Sequence, residues 1–330
     1  MGGSRWSDDA YLSRAAFRSS TGAPVFTHDA DIRSGHARRA VHDRLNPHGL
    51  KVRESRDSDA HPESNAVMVV LDVTGSMGRV VGDIHGALPK LMGLLTRKNY
   101  LADPQIMFSA VGDATCDSVP LQVGQFESGI EMEDDLTHFF IEQGGGGQNT
   151  ESYELMAYVG AYKTDIDCFN KRGRKGYCFF IGDELPYGVV KRREIERLLG
   201  QRVEADLPVK SVFEKLRQKY HVFYVLPQDA SNGADSTIIK YWSGLIGAEH
   251  VLRLANAAGV SELIAAQIGL VEEATDLDSV VDDMVDAGSS DALARVVRSA
   301  VSPSYRGGSA LARISSGALP PSGPSDVRRL

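Results

Sequence analysis

The feature that most constrains the fold is an uninterrupted apolar segment that ends in a carboxylate. Residues 66–71 read Ala-Val-Met-Val-Val-Leu, and Asp72 follows directly. A strand with one solvated face alternates apolar and polar residues, whereas a continuous apolar strand is buried on both faces. The segment therefore predicts a central parallel strand that is covered by other elements on both sides.

Strand and helix patterns continue to alternate as far as about residue 275. The predicted strands are 105–112, 119–126, 177–182, 221–226 and 250–254. The predicted helices are 78–97, 131–142, 152–164, 190–199, 209–219, 236–246 and 260–271. This alternation predicts an α/β domain over residues 65–275, with a doubly wound, mostly parallel central sheet flanked by helices.

The two ends of the chain differ from this domain. Residues 1–64 are polar, and the spacing of their five histidines matches no zinc-binding pattern. Their scattered aromatic residues predict an extension that packs over the main domain. Residues 276–330 are first acidic and then rich in Ser, Gly and Pro, which predicts a tail that is disordered from about residue 302.

Composition excludes several classes of function. The net charge of −8 argues against a nucleic-acid partner, which would require a basic surface. Three cysteines are too few for a disulfide framework. The sequence has neither an apolar segment of bilayer-spanning length nor a secretory signal, so we expect a cytoplasmic protein without membrane contact.

Three separated pieces of the sequence carry side chains suited to a metal ion. They are Asp72, Thr74 and Ser76 after the first strand, Thr150 after a run of glycines, and Asp183 after the strand at 177–182. The carboxyl ends of central parallel strands form the crevice where such sheets bind ligands. Hydroxyl oxygens suit Mg²⁺ or Mn²⁺, and the two aspartates supply negative charge directly or through water.

Each piece also has a purely structural interpretation. Asp72 and Ser76 have the residue types that cap the helix predicted to follow them. Thr150 could be the N-cap of the helix at 152–164, and Ser152 is a close alternative to it as a ligand. Asp183 could be an ordinary turn residue.

The first piece resembles the metal-ion-dependent adhesion site (MIDAS) of von Willebrand factor A (vWA) domains, whose signature is Asp-x-Ser-x-Ser. The matching segment reads VMVVLDVTGSMG, with Thr74 at the first serine position. In the family, a threonine from a second loop and an aspartate after the fourth strand complete the site, and GGGGQNTES and FFIGDE match them. The resemblance implies that Thr74, Ser76 and Thr150 bind the metal directly. It also implies that Asp72 and Asp183 act through water.

The resemblance further implies a function and a class of partner. The segment TIIKYWSGLIGAEHVLRL is similar to the end of bacterial vWA domains. A MIDAS with few direct carboxylate ligands leaves its ion electrophilic, so we expect a partner protein to supply an Asp or Glu. Intracellular bacterial proteins of this kind often act beside MoxR-type AAA+ ATPases. The expected function is therefore metal-dependent protein binding and not catalysis.

Three catalytic patterns fit this sequence poorly. An aspartyl phosphatase of the haloacid-dehalogenase type needs a second aspartate where Thr74 stands. A serine hydrolase needs Gly-x-Ser-x-Gly, and the glycine before Ser76 is at the wrong position. The glycine run at 144–147 lacks the lysine of a phosphate-binding loop.

A metal-dependent hydrolase of a phosphate or ester remains the alternative function. It would need a general acid or base beside the metal. His85 and Glu184 are the candidates, and His85 is expected to lie on the surface of the first helix.

Overall fold

The computed structural model describes residues 4–142 and 149–306, with Ser76 and Arg306 described by their backbone alone. In these residues six strands form one central sheet. The strands are β1 Asn65–Asp72, β2 Pro104–Val111, β3 Leu121–Val123, β4 Gly176–Ile181, β5 Tyr220–Pro227 and β6 Val251–Leu254. Their order is β6-β5-β4-β1-β2-β3, and all neighbours are parallel except the antiparallel edge pair of β2 and β3. The fold is thus α/β with a mixed central sheet.

The central strand β1 is buried along all eight residues. Its side chains alternate between two hydrophobic cores, one on each face of the sheet. The residues that enter the first core are Val67, Val69 and Leu71, and those that enter the second are Ala66, Met68 and Val70. The continuous apolar segment therefore predicts the strand and its burial correctly.

Helices cover both faces of the sheet. They are α1 Asp8–Thr21, α2 Thr27–Arg33, α3 Gly78–Met92, α4 Glu131–Thr137, α5 Tyr153–Tyr162, α6 Asp167–Asn170, α7 Arg192–Glu194, α8 Val209–Lys219, α9 Ser236–Ile246, α10 Val260–Val271, α11 Ser279–Asp286 and α12 Asp291–Arg306. Wide turns Gly93–Arg97 and Ile195–Leu199 extend α3 and α7. Residues of α3, α10, α11 and α12 enter the first core, and residues of α5, α8 and α9 enter the second.

Short strand pairs lie outside the main sheet. Arg53–Ser55 pairs with Thr164–Ile166, Thr150–Glu151 with Leu185–Pro186, and Val189–Val190 with Leu207–Pro208. The second of these pairs matters for function, because it joins two loops at the carboxyl edge of the sheet.

The helix predicted at 131–142 is wrong in length, since α4 ends at Thr137. The side chain of Gln122 explains the early end. Its amide donates to the carbonyl of Phe140 at 2.8 Å and accepts from the Phe140 N–H at 2.9 Å. The backbone groups that a longer helix would use are therefore bonded to the neighbouring edge strand.

Both ends of the chain share the first core. Tyr11 is buried there and donates from its hydroxyl to the carbonyl of His85 at 2.9 Å. Val297 and Val301 of α12 lie in the same core, so packing extends well beyond the predicted boundary at residue 275. The helix α12 continues to Arg306, past the position near 302 where a disordered tail is predicted. Residues 307–330 lie outside the described residues.

No helix among the described residues combines the length and the apolar character that crossing a membrane requires.

Candidate functional site

Asp72 is the last residue of β1, and its side chain is completely buried. The backbone N–H and the hydroxyl of Thr74 donate to its Oδ1 at 2.8 and 2.6 Å. The hydroxyl of Tyr153 donates to its Oδ2 at 2.8 Å. Both carboxylate oxygens are thus fixed. Because the Thr74 hydroxyl gives its proton to Asp72, its lone pairs remain free to face a cation.

The turn after Thr74 carries the rest of the first motif. Gly75 is exposed and has a φ of +42°, which glycine adopts without the strain of a side chain. The 3₁₀ turn Gly75–Met77 then leads into α3. Ser76 lies in this turn, but its side chain is outside the described part of the chain, so the position of its hydroxyl remains a prediction.

Asp183 follows β4, which is the neighbour of β1 in the sheet. Its Oδ2 accepts from the backbone N–H of Asn232 at 2.8 Å. Burial and, more weakly, the charge of Asp183 raise the pKa of Asp72, although hydrogen bonds from Thr74 and Tyr153 oppose this. The charges of the two aspartates therefore interact at the carboxyl edge of the sheet, where the sequence predicts both residues.

Thr150 is half-buried in the short strand that pairs with Leu185–Pro186. This pairing places its loop beside the chain that leaves Asp183. The position before α5 belongs to Ser152, so Thr150 is not the N-cap of that helix. Ser152 accepts from the backbone N–H of Ala114 at 2.9 Å and has this structural role. The choice of Thr150 as the ligand from the second loop, with Ser152 as its alternative, stays a prediction.

Four further carboxylates line the same edge, and we call them the acidic wall: Asp113, Asp117, Glu151 and Glu184. Asp113 and Asp117 lie in the loop after β2, while Glu151 and Glu184 directly follow Thr150 and Asp183. Only Glu184 is a candidate from sequence. Asp113, Asp117 and Glu151 stand in loops, where a carboxylate is usually solvated, so the sequence does not single them out.

The carboxylates of the acidic wall differ in how well they are satisfied. Asp113 accepts from the hydroxyl of Tyr187 at 3.0 Å, and Asp117 accepts from the backbone N–H of Asp113 at 2.6 Å. In contrast, one oxygen each of Glu151 and Glu184 is buried without a hydrogen-bond partner. Burial, followed by the charges of neighbouring carboxylates including Asp72, raises the pKa of Glu184 to about 8. The pKa of Glu151 is raised for the same reasons.

The donor set of the site suits a hard cation. Within the described residues, no Lys or Arg forms an ion pair with Asp72, Asp183, Glu151 or Glu184. In this part of the chain, no three His, Cys, Asp or Glu side chains are gathered as ligands of one metal. The predicted ligand set is not a group of that kind, because its direct ligands are the hydroxyls of Thr and Ser residues. Buried negative charge beside these hydroxyls fits a small divalent cation.

The prediction that His85 lies on the surface is wrong. It is 5% exposed, and its Nε2 lies 3.0 Å from Oε1 of Glu133 on α4. Its ring also packs near that of Tyr11 from the N-terminal segment. His85 therefore belongs to the contact between α1, α3 and α4, and Glu184 remains as the candidate acid or base of the site.

Comparisons with known proteins give little further information. No protein-family model matches the chain, and a search of curated proteins finds no match. Two crystal structures of the pilus adhesin SpaC from Lactobacillus rhamnosus GG, one of them in an open conformation, are similar at TM-scores of 0.42 and 0.43. Each is 10% identical in sequence, and the match covers 66% of this chain but only 31% of the adhesin chain.

Proposed function

We propose that this chain is a metal-dependent protein-binding module with a vWA-type domain and a MIDAS. The ion is Mg²⁺ or Mn²⁺, and its ligands are Thr74, Ser76 and Thr150. Asp72 and Asp183 hold it through water. We also propose that the fold is of the doubly wound type, with a mostly parallel central sheet.

The arrangement of Asp72 and Thr74 carries this proposal. A completely buried carboxylate ends the central strand, and the hydroxyl two residues later donates to it at 2.6 Å. This bond orients the hydroxyl and raises its electron density, which improves it as a neutral metal ligand. An ordinary helix cap would instead bond a backbone N–H of the following helix, and neither Thr74 nor Met77 makes a side-chain cap bond.

The partner supplies an Asp or Glu to the metal. When bound, a divalent cation supplies an electrophilic centre for an outside carboxylate. The chain's own contribution is to hold hydroxyls at the sheet edge and to keep Asp72 and Asp183 behind them. Neutral direct ligands leave most of the ion's charge uncompensated, so a partner carboxylate gains a strong charge-assisted contact. A MoxR-type AAA+ ATPase in the cytoplasm is the class of partner we propose.

Binding of Mn²⁺ to the purified chain tests the site. Isothermal titration should detect a site in the wild type that is lost in Thr74→Ala. The matched control is Thr96→Ala, because the Thr96 hydroxyl donates to the carbonyl of Met92 in the turn after α3, away from the site. Equal Mn²⁺ binding by the wild type and Thr74→Ala would exclude a MIDAS.

Binding of the partner tests the function. The wild-type chain and Thr74→Ala are immobilised, and proteins are passed over both. A candidate partner is a protein that the wild type retains with Mg²⁺ but not with chelator, and that Thr74→Ala does not retain. One acidic residue of the true partner should then prove essential on alanine substitution. If the partner protein is retained equally well in chelator, its binding surface on this chain does not include the metal site.

The position of Glu184 favours the alternative function, a metal-dependent hydrolase of a phosphate or ester. It follows Asp183 directly and is the remaining candidate acid or base at this edge. Metal-dependent turnover of p-nitrophenyl phosphate that is lost in both Asp72→Asn and Glu184→Gln would support this alternative over the binding module.

A further inference from the structure

We infer that residues 310–314 of this chain bind along the outer edge of β6 and add a strand to the central sheet. These residues read Ala-Leu-Ala-Arg-Ile. They belong to the part of the chain that follows α12, and a cleft beside β6 is their binding site. The inference goes beyond the proposed function and rests on neither the metal nor its ligands.

The two edges of the central sheet differ in how the chain covers them. At the β3 edge, the side chain of Gln122 bonds both backbone groups of Phe140, so the segment after α4 lies along that edge. At the other edge β6 pairs in parallel with β5, and no further strand pairs with it among the described residues. An uncovered edge strand exposes N–H and C=O groups that can pair with another extended segment.

A cleft of about 660 Å³ lies beside the open edge of β6. Its walls are α9 and α12, which pack on opposite faces of the sheet because they contribute to different cores. The residues that line it include Ile239 and Ser243 of α9, Val251 of β6, and Val296, Ser299 and Pro303 of α12. The cleft thus continues the plane of the sheet, where an added strand would lie.

The cleft has apolar surface on both sides. Val296 is half-buried against the first core, while Ile239 and Val251 are half-buried against the second. Covering the remaining apolar surface of these side chains is favourable. An added strand directs successive side chains to opposite faces of the sheet, so it contacts both walls at once.

The chain itself brings a segment to this cleft. The last turns of α12 line the cleft, and α12 ends at Arg306. Residues 307–309 read Gly-Gly-Ser, which is a flexible link, and the four residues from Arg306 to Ala310 span at most about 14 Å. A segment tethered this closely has an effective concentration in the millimolar range, so weak strand pairing is enough to hold it.

Residues 310–314 have the pattern of an added strand. Ala310, Ala312 and Ile314 share one face, and Leu311 and Arg313 share the other. The composition of the tail predicts that it forms no core of its own. Strand addition needs no such core, because the backbone of β6 supplies the hydrogen-bond partners and the cleft supplies the apolar contacts.

Hydrogen–deuterium exchange of the full chain tests the inference. In the wild type, the amides of residues 311–314 should exchange about tenfold more slowly than in Ile314→Asp, whose charged side chain is unfavourable in the apolar cleft. The outward-facing amides of β6 should lose protection in the same variant. The matched control is Leu319→Asp, which adds the same charge to the tail beyond the added strand and should exchange like the wild type.

A labelled peptide of residues 307–317, added to the full chain, tests the cleft. Fluorescence anisotropy should show at least about tenfold tighter binding to Ile314→Asp than to the wild type, because the wild-type cleft is occupied by its own tail. Adding Ser299→Arg to Ile314→Asp should abolish this binding, since it places a charge in the cleft. Adding Ser302→Arg, on the same helix but outside the cleft lining, should not.

Three results would overturn the inference. Exchange at residues 311–314 that is as fast in the wild type as in Ile314→Asp would show that the tail is not docked and would leave the cleft to a partner protein. Protection that disappears on dilution, together with dissociation of a dimer in sedimentation, would assign the cleft to the tail of a second copy. Peptide binding by Ile314→Asp that is unchanged by Ser299→Arg would place the added strand on another surface.

Discussion

Two buried glutamates in this molecule have opposite surroundings. Glu133 on α4 is 0% exposed and Glu151 is 2% exposed. Glu133 contacts the guanidinium groups of Arg14 and Arg18 at 3.1 and 2.6 Å, and His85 bonds it at 3.0 Å. Glu151 has no such contact among the described residues. Burial raises the pKa of both, but hydrogen bonds from His85 and Arg18 bring that of Glu133 below its ordinary value.

The difference shows how this chain compensates buried charge. The cations for Glu133 come from α1, so the N-terminal segment is fixed to the domain by charge as well as by apolar packing. Glu151 has no compensating cation among the described residues, so its burial costs stability unless the carboxyl takes up a proton or a cation. A buried carboxylate with an internal cation stabilises the fold, whereas one without a cation keeps a raised pKa and is a candidate for a functional role.

The largest expected effect is the loss of the internal cations. Arg14→Ala/Arg18→Ala leaves Glu133 with His85 alone, and we expect the free energy of unfolding to fall by about 3 kcal/mol. Urea denaturation measures this change. The control is Arg202→Ala, whose pair with Glu196 is exposed on both sides and should contribute less than about 0.5 kcal/mol. Equal small losses in both variants would show that the pairing at Glu133 adds no stability.

Adding the external cation should have the next largest effect. Mg²⁺ at about 100 times its Kd should stabilise the fold by about 2.7 kcal/mol per site, provided that it binds only the folded chain. Thermal unfolding with Mg²⁺ and with chelator measures the difference. Asp72→Ala should remove this stabilisation. An identical Tm with Mg²⁺ and with chelator would contradict the proposed metal site.

The same substitution should have opposite signs in the two regions. In chelator, Glu151→Gln removes a buried carboxyl group that must either stay unpaired or take up a proton on folding, and it should raise the free energy of unfolding by about 1 kcal/mol. Glu133→Gln removes a paired charge and should lower it. Destabilisation by Glu151→Gln in chelator would show that its carboxylate already has a partner.

The fold was predictable where helical or strand periodicity is strong. The boundaries of α8, α9 and α10 match the predicted ranges, and β1 follows from its apolar run. The helices α1, α2 and α11 were not predicted. Of the residues in α1, only Tyr11 is buried. Its helix depends on contacts with distant residues, which a local pattern cannot reveal.

Of the site, only the residues at the ends of the two central strands were predictable from the sequence. A strand end and a spaced hydroxyl identify Asp72 and Thr74 from sequence, and the aspartate after β4 follows from the same logic. Isolated loop carboxylates such as Asp117 and Glu151 have the pattern of solvated residues. The position of Glu151 near Glu184 depends on a two-residue strand, Thr150–Glu151, that pairs with Leu185–Pro186. A strand of that length has no periodicity to detect.

The smallest expected effect is a pH dependence of the same N-terminal segment that compensates Glu133. The ring of His42 stacks on that of His138 at 4.0 Å and meets the edge of His28 at 5.0 Å. Burial, followed by the charges of His138 and His28, lowers the pKa of His42, while Asp43 raises it and Arg44 lowers it.

Below pH ~6.5 the unfolded chain takes up a proton at His42 that the folded chain resists, so stability falls as the pH falls through this range. His42→Gln should flatten the loss of unfolding free energy between pH 7.5 and 5.5, as read from urea denaturation at both values. The exposed His48 provides the control, since His48→Gln should keep the wild-type slope. An unchanged slope in His42→Gln would show that protonation of this ring does not loosen the contact between the N-terminal segment and α4.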